Sequence, residues 1–158
     1  MWTQVRSASL VIVGLLSASA ASGQPPPATS IRLTKIARLT CNFSSMAVGD
    51  WKSGEAAAAT RPAKLSVSFN GVDAQDGTAE SVGDAGKWHI TVRLVGPYLH
   101  FMQMDPYGAI YVTTVFDVET RRGRLQAVHT RHEYTRVSLP GLTSRPEQYY
   151  GDCETHSR

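Results

Sequence analysis

Two histidines towards the C-terminal end of the chain have the spacing most suited to holding a metal ion. His129 and His132 stand three positions apart in the segment LQAVHTRHEY. On a helix this spacing places both imidazoles on one face, but on a strand the odd offset sends them to opposite faces. The segment also lacks the order H-E-x-x-H, which supplies the base of a metalloprotease. The sequence therefore predicts neither a metal site nor a cofactor.

The segment around these histidines could instead direct polar groups into the interior of a sheet. A regular strand over residues 124–134 places His129 and Arg131 on the same face as Leu125 and Ala127. A buried arginine needs a carboxylate or carbonyl partner, because an unpaired buried charge is costly. Such groups are typical of a ligand site in a barrel mouth and also of a structural network that closes a barrel end. We expect the structural network.

A second candidate site lies in the C-terminal segment SRPEQYYGDC, which contains Arg145, Tyr149 and Tyr150. Exposed tyrosine and arginine side chains are effective contacts for proteins and sugars. The same side chains are also ordinary packing groups for a tail that covers the end of a barrel. The sequence leaves both interpretations open.

Other patterns that indicate catalysis or nucleic-acid binding are missing from the sequence. There is no G-x-S-x-G motif, and the acidic residues between 73 and 84 lack the spacing of a calcium loop. The 16 Lys+Arg and 13 Asp+Glu are interspersed, whereas nucleic-acid binding needs a clustered basic face. These observations disfavour an enzyme and exclude nucleic acid from the expected partners.

The elements that must position these residues are predicted to be strands. Alternating apolar residues and closely spaced turn signals predict an all-β fold, an antiparallel meander closed as a small barrel or sandwich. We predict loops at 54–62 and 71–86 and an irregular tail over 137–153, because these segments are rich in small or turn-forming residues. The predicted core contains Ile90, Val92, Leu94, Ile110, Val112 and Phe116.

The two cysteines, Cys41 and Cys153, lie near the two ends of the predicted domain. An even count without C-x-x-C spacing predicts one structural disulfide if the protein is exported to an oxidising compartment. This bridge would tether the irregular tail to the first strand.

The first 23 residues have the composition of a signal peptide. Arg6 gives a positive start, residues 8–16 are mainly apolar, and small residues surround a cleavage site near Ala20. The apolar run is shorter than the roughly 20 residues that a transmembrane helix needs, so no transmembrane segment is predicted. The proline-rich segment 24–30 is predicted to be a disordered tether, and 31–158 a single β-domain. The protein is therefore expected in the periplasm or outside the cell.

Three functions are compatible with these features. The first is an exported module that binds a protein or a small ligand. The second is a small hydrolase or metal-dependent enzyme centred on His129, Arg131 and His132. The third is a structural component of the cell envelope. The first is favoured, because the residues that could do chemistry are scattered along the chain.

Overall fold

The described part of the chain folds into a closed ring of eight antiparallel strands. A computed structural model describes residues 28–83, 86–104, 106, 108–133 and 145–156. The short helix α1 (Ile31–Thr34) precedes the strands β1 (Arg38–Lys52), β2 (Glu55–Asp73), β3 (Thr78–Gly83), β4 (Gly86–Val95), β5 (Tyr98–Met104), β6 (Ile110–Glu119), β7 (Leu125–Glu133) and β8 (Arg145–Thr155). Each strand pairs with the next, and β8 also pairs with β1, so the sheet has the topology of a closed barrel. The all-β antiparallel prediction is confirmed. The predicted signal peptide and residues 24–27 lie outside the described residues.

Three segments predicted to be irregular are strands, at least in part. Residues 55–62 belong to β2, residues 78–83 form β3, and the tail from residue 145 to residue 155 is β8. Residues 137–144 of the predicted tail lie outside the described residues. The turn-forming composition of these segments did not prevent strand formation, because their backbone N–H and C=O groups form hydrogen bonds with the neighbouring strands. Pro62 is tolerated in β2 because it lies opposite Ser45, where a bulge interrupts the β1 register.

The predicted core is correct on β4 and wrong on β6. Ile90 and Val92 are buried, and Leu94 packs against the core. On β6, however, the inward-facing residues are Tyr111, Thr113 and Val115, whereas the predicted Ile110, Val112 and Phe116 lie on the outer face. Both faces of this strand carry apolar side chains, so period-two alternation does not distinguish them. Val115 faces inwards because its neighbours across the two ladders are the buried Leu99 and Ala127.

One end of the barrel, which we call the closed end, is covered by α1 and the turn after it. Leu33 and Ile36 are buried in the core beneath this cover. The Ser30 hydroxyl caps the helix by accepting a hydrogen bond from the Leu33 amide at 3.2 Å. Arg32 forms ion pairs with Asp117 and Glu119 at the end of β6. Within the described residues, no helix has the length and apolar character needed to cross a membrane.

The disulfide between Cys41 and Cys153 fastens the seam of the barrel and confirms the predicted pairing. The two residues are directly opposite on β1 and β8, and both are fully buried. They are 112 positions apart, and closing a loop of that size stabilises a fold by about 4 to 5 kcal/mol in the chain-entropy model. The bridge therefore ties the first strand to the last strand instead of tethering an irregular tail.

Gly151 lets β8 approach β1 closely beside the bulge. A Cβ atom at this position would lie 2.7 Å from the Phe43 Cα and still closer to the Asn42 carbonyl oxygen. Both obstacles are backbone atoms, which cannot move aside as a flexible side chain can. The seam next to the disulfide thus requires glycine.

Candidate functional site

The inward-facing residues change from apolar to polar along β7. Leu125 and Ala127 are buried near the closed end, and His129 and Arg131 follow on the same face towards the opposite end, which we call the open end. The predicted facing of this strand is confirmed. The inner faces of β5, β6 and β8 change in the same direction and reach the open end with Gln103, Tyr111, Tyr149 and Glu147.

These polar residues surround a cavity of about 250 Å³ that opens to solvent at the open end. Its walls include Leu65, Trp88, Gln103, Tyr111, His129 and Arg131. This volume is small for a ligand pocket. It is therefore suited to a ligand smaller than a drug-sized molecule, whose pockets usually span about 300 to 1,000 Å³.

The imidazole of His129 is buried among three aromatic rings. Its ring centroid lies 5.6 Å from that of Phe43, 6.3 Å from that of Tyr111 and 5.9 Å from that of Tyr149. Burial, and to a lesser extent the charge of Arg131, lowers the pKa of His129 to about 4. Its Nδ1 forms a 2.8 Å hydrogen bond with the Thr113 hydroxyl. His129 is thus a neutral ring at pH 7, and Nε2 is the nitrogen left for further hydrogen bonding.

Arg131 is held by groups from two neighbouring strands. Its guanidinium lies 4.0 Å from the Glu147 carboxylate, directly across the ladder on β8. It also lies 5.7 Å from the ring centroid of Tyr111 and forms a side-chain hydrogen bond with Tyr149. Its side chain is 32% exposed and that of Glu147 is 17% exposed. Arg131 is therefore partly buried and paired with a carboxylate, yet still reaches the cavity.

Tyr149 connects this ion pair to the aromatic wall. Its hydroxyl donates a 2.6 Å hydrogen bond to Glu147. Burial, followed by the hydrogen bond to Glu147 and the charge of that carboxylate, raises the pKa of Tyr149. The hydroxyl therefore remains protonated at neutral pH and acts as a donor that holds Glu147 in place.

Three residues on the other side of the barrel complete the cavity, and the sequence patterns did not identify them as site residues. The Ser81 hydroxyl donates a 2.8 Å hydrogen bond to the Gln103 side-chain carbonyl, which leaves the Gln103 amide N–H groups for other partners. Among the described residues, the buried indole N–H of Trp88 has no hydrogen-bond partner. The alternation along β4 and β5 could have identified two of them, because Trp88 shares the inner face of β4 with Ile90, and Gln103 shares that of β5 with Phe101.

The remaining candidate residues lie away from the cavity, and two of them are on the outer face of their strands. His132 lies opposite Ile110 on the outer face of β7, away from His129 and Arg131. Tyr149 faces inwards, whereas Tyr150 is 46% exposed on the outer face and donates to Gln148 at 2.8 Å. Arg145 begins β8, opposite Glu133. Of the predicted site residues, the structure thus brings together His129, Arg131 and Tyr149.

The pair of Thr113 and His129 has the residue types of a nucleophile and a base, but its position does not favour catalysis. Thr113 is almost fully buried and is not part of the cavity wall, so a molecule in the cavity meets the imidazole rather than the hydroxyl. A histidine with a pKa of about 4 is also a weak base at neutral pH. The described ranges contain no cluster of three His, Cys, Asp or Glu residues that could hold a metal ion.

Comparisons of the chain with known protein families, with curated proteins and with solved structures find no match. The assignment of a function therefore depends on the cavity itself.

Proposed function

We propose that the protein is an exported, non-enzymatic binding protein that holds a small molecule in the cavity at the open end. The observation that carries this proposal is the polarity of the barrel interior: a filled apolar core at the closed end gives way to a solvent-open cavity lined by aromatic and hydrogen-bonding side chains. Small-molecule sites combine apolar walls with a few placed polar groups in this way.

The polar groups beside the cavity are held in place before a ligand arrives. Hydrogen bonds join His129 to Thr113, Gln103 to Ser81, and Glu147 to Tyr149. A site organised in advance loses less side-chain entropy on binding, so a small ligand can be held without large rearrangement. This supports a binding role over a purely structural network, for which a filled interior would be sufficient.

Export is the second part of the proposal. A buried disulfide is compatible with an oxidising compartment, and the first 23 residues have the composition of a removable leader. The bound molecule would therefore be met in the periplasm or outside the cell.

Native mass spectrometry of the full chain expressed in a bacterial host with its leader tests both parts. We expect a polypeptide shortened by about 20 residues, with its disulfide intact. After exposure to a metabolite extract, we also expect a small-molecule mass that is lost under denaturing conditions. An uncleaved cytoplasmic chain would overturn export, and the absence of any retained small molecule would overturn the binding role.

Two variants on the same strand locate the bound molecule. Gln103→Trp fills the cavity, whereas Met104→Trp adds the same side chain at an outward position that is 75% exposed. We expect the retained mass to disappear in Gln103→Trp and to persist in Met104→Trp. Retention by a folded Gln103→Trp protein would place the ligand elsewhere and contradict the proposal.

A further inference from the structure

The described wall of the cavity contains a cationic side chain. Among the described residues that form its wall, Arg131 is the one with a formal charge. The neighbouring carboxylate of Glu147 lies beside Arg131 but is not part of the wall, and Tyr149 donates a hydrogen bond to it. His129 is neutral at pH 7 because its pKa is lowered to about 4. Among the described wall residues a ligand therefore meets the Arg131 guanidinium, which is already paired with Glu147, and no carboxylate, and this favours an anionic group.

Two further side chains of the described wall carry hydrogen-bond donors. The indole N–H of Trp88 is buried without a partner in the described part of the chain. The Gln103 carbonyl already accepts from Ser81, so the amide N–H groups are what this side chain still offers. The indole nitrogen has almost no exposed surface, so a ligand acceptor reaches it only when the Trp88 ring turns towards the cavity. The hydrogen bond formed then would remove the cost of an unpaired buried donor.

The donors are distributed on two sides of the cavity. Trp88 is on β4 and Arg131 is on β7, three strands apart around the eight-stranded ring. A ligand that satisfies both therefore needs acceptors at its two ends. The wall also contains the rings of Tyr111 and His129 and the side chain of Leu65, which suit a flat apolar body.

We infer that the ligand is a small aromatic carboxylate with a second acceptor on the ring, of the size and type of a hydroxybenzoate. The carboxylate pairs with Arg131, the ring packs against Tyr111 and Leu65, and the second acceptor takes the indole N–H after the Trp88 ring turns towards it. This inference rests on the proposed function and adds the chemical class of the ligand.

Isothermal titration of the exported protein with four probes tests this inference. The probes are 4-hydroxybenzoate, benzoate, neutral benzamide and non-aromatic cyclohexanecarboxylate. We expect benzoate to bind at least about tenfold more tightly than benzamide, since a hydrogen bond to a charged group is worth about a factor of ten or more. Cyclohexanecarboxylate should be weaker than benzoate, and 4-hydroxybenzoate should be the tightest of the four.

Variants assign the effects to residues. Arg131→Gln should reduce benzoate affinity to that of benzamide, whereas Arg121→Gln, at an exposed turn at the closed end, should leave it unchanged. Trp88→Phe keeps a ring but removes the N–H, so it should weaken 4-hydroxybenzoate and leave benzoate nearly unchanged. The Trp88 variant keeps the inference testable if Arg131→Gln fails to fold, which circular dichroism of each variant reports.

The outcomes separate this inference from the proposed function. Equal affinity for benzoate and benzamide overturns the anionic class, and equal affinity for benzoate and cyclohexanecarboxylate overturns the aromatic class, while small-molecule binding stands in both cases. Failure of all four probes, together with a retained neutral molecule in native mass spectrometry, also overturns only the ligand class. Failure of all probes with no retained molecule overturns both.

Discussion

The two ends of this barrel are built from the same strands, but one end is packed with apolar side chains and the other encloses a cavity. At the closed end, α1 covers the ring, Leu33 and Ile36 are buried, and Arg32 anchors the cover through ion pairs to β6. At the open end, the same strands present His129, Arg131 and other polar side chains around a solvent-open cavity. The difference shows how one sheet can separate stability from binding: burial of apolar surface at one end allows the other end to remain unfilled.

The largest expected change in stability follows from loss of the disulfide at the seam. This disulfide lies in the apolar part of the barrel next to Leu125. Replacing Cys41 and Cys153 together with alanine should lower the free energy of unfolding by about 4 to 5 kcal/mol, because the unfolded chain regains loop entropy. Urea titration monitored by circular dichroism measures this change. A loss below about 1 kcal/mol would show that the seam does not need covalent closure.

The next effect tests the cover of the closed end. Leu33→Ala should lower the free energy of unfolding by about 2 to 5 kcal/mol, since it leaves a cavity under a fully buried side chain. Ile31→Ala on the same helix is the matched control, because Ile31 is 72% exposed and its truncation should change stability by about 0.5 kcal/mol or less. Equal effects of the two variants in urea titration would contradict the role of α1 as a packed cover.

The open end should make the protein sensitive to acid through His129. Its pKa is about 4 in the folded protein, against about 6.5 in the unfolded chain, so the unfolded state binds more protons between these values. The contribution of His129 to the free energy of unfolding is therefore fully present above about pH 6.5. It decreases as the pH drops towards 4, by about 3 kcal/mol at most. His100, whose pKa is also lowered by burial, contributes in the same direction.

Urea titrations at pH 7, 5.5 and 4 measure this dependence. In His129→Asn, most of the decrease between pH 7 and 4 should disappear, and a smaller part due to His100 should remain. His89→Gln, on the exposed outer face of β4, should keep the dependence of the original protein. An unchanged dependence in His129→Asn would mean that the imidazole is not buried as a neutral ring.

The smallest effect on stability is expected for Arg131. Because the guanidinium is partly exposed and 4.0 Å from Glu147, Arg131→Ala should lower the free energy of unfolding by only about 1 to 2 kcal/mol. Thermal unfolding measured beside ligand titration distinguishes the two roles of Arg131. A large loss of stability would make Arg131 part of a structural network, as the sequence predicts. A small loss with abolished binding would assign it to the cavity.

Much of the fold follows from local patterns in the sequence. The alternation on β4 identifies its inner face, and Gly96 with Pro97 marks the turn into β5. The parity of β7 places His129 and Arg131 together, because side chains two positions apart on a strand share a face. Other parts did not follow from local patterns. β6 has apolar residues on both faces, so its sequence pattern predicted the wrong inner face. β8 contains proline and glycine, so its composition did not predict a strand.

The sequence by itself determined an antiparallel β protein with one disulfide and a polar pair facing inwards, because alternation and cysteine count depend on neighbours along the chain. Only the tertiary structure decided that β8 closes the ring and that Trp88, Gln103 and Arg131 meet around one cavity. These residues come from three different strands, and nothing local relates their positions. Their proximity is created when the barrel closes, since closure brings side chains distant in sequence to the same end of the ring.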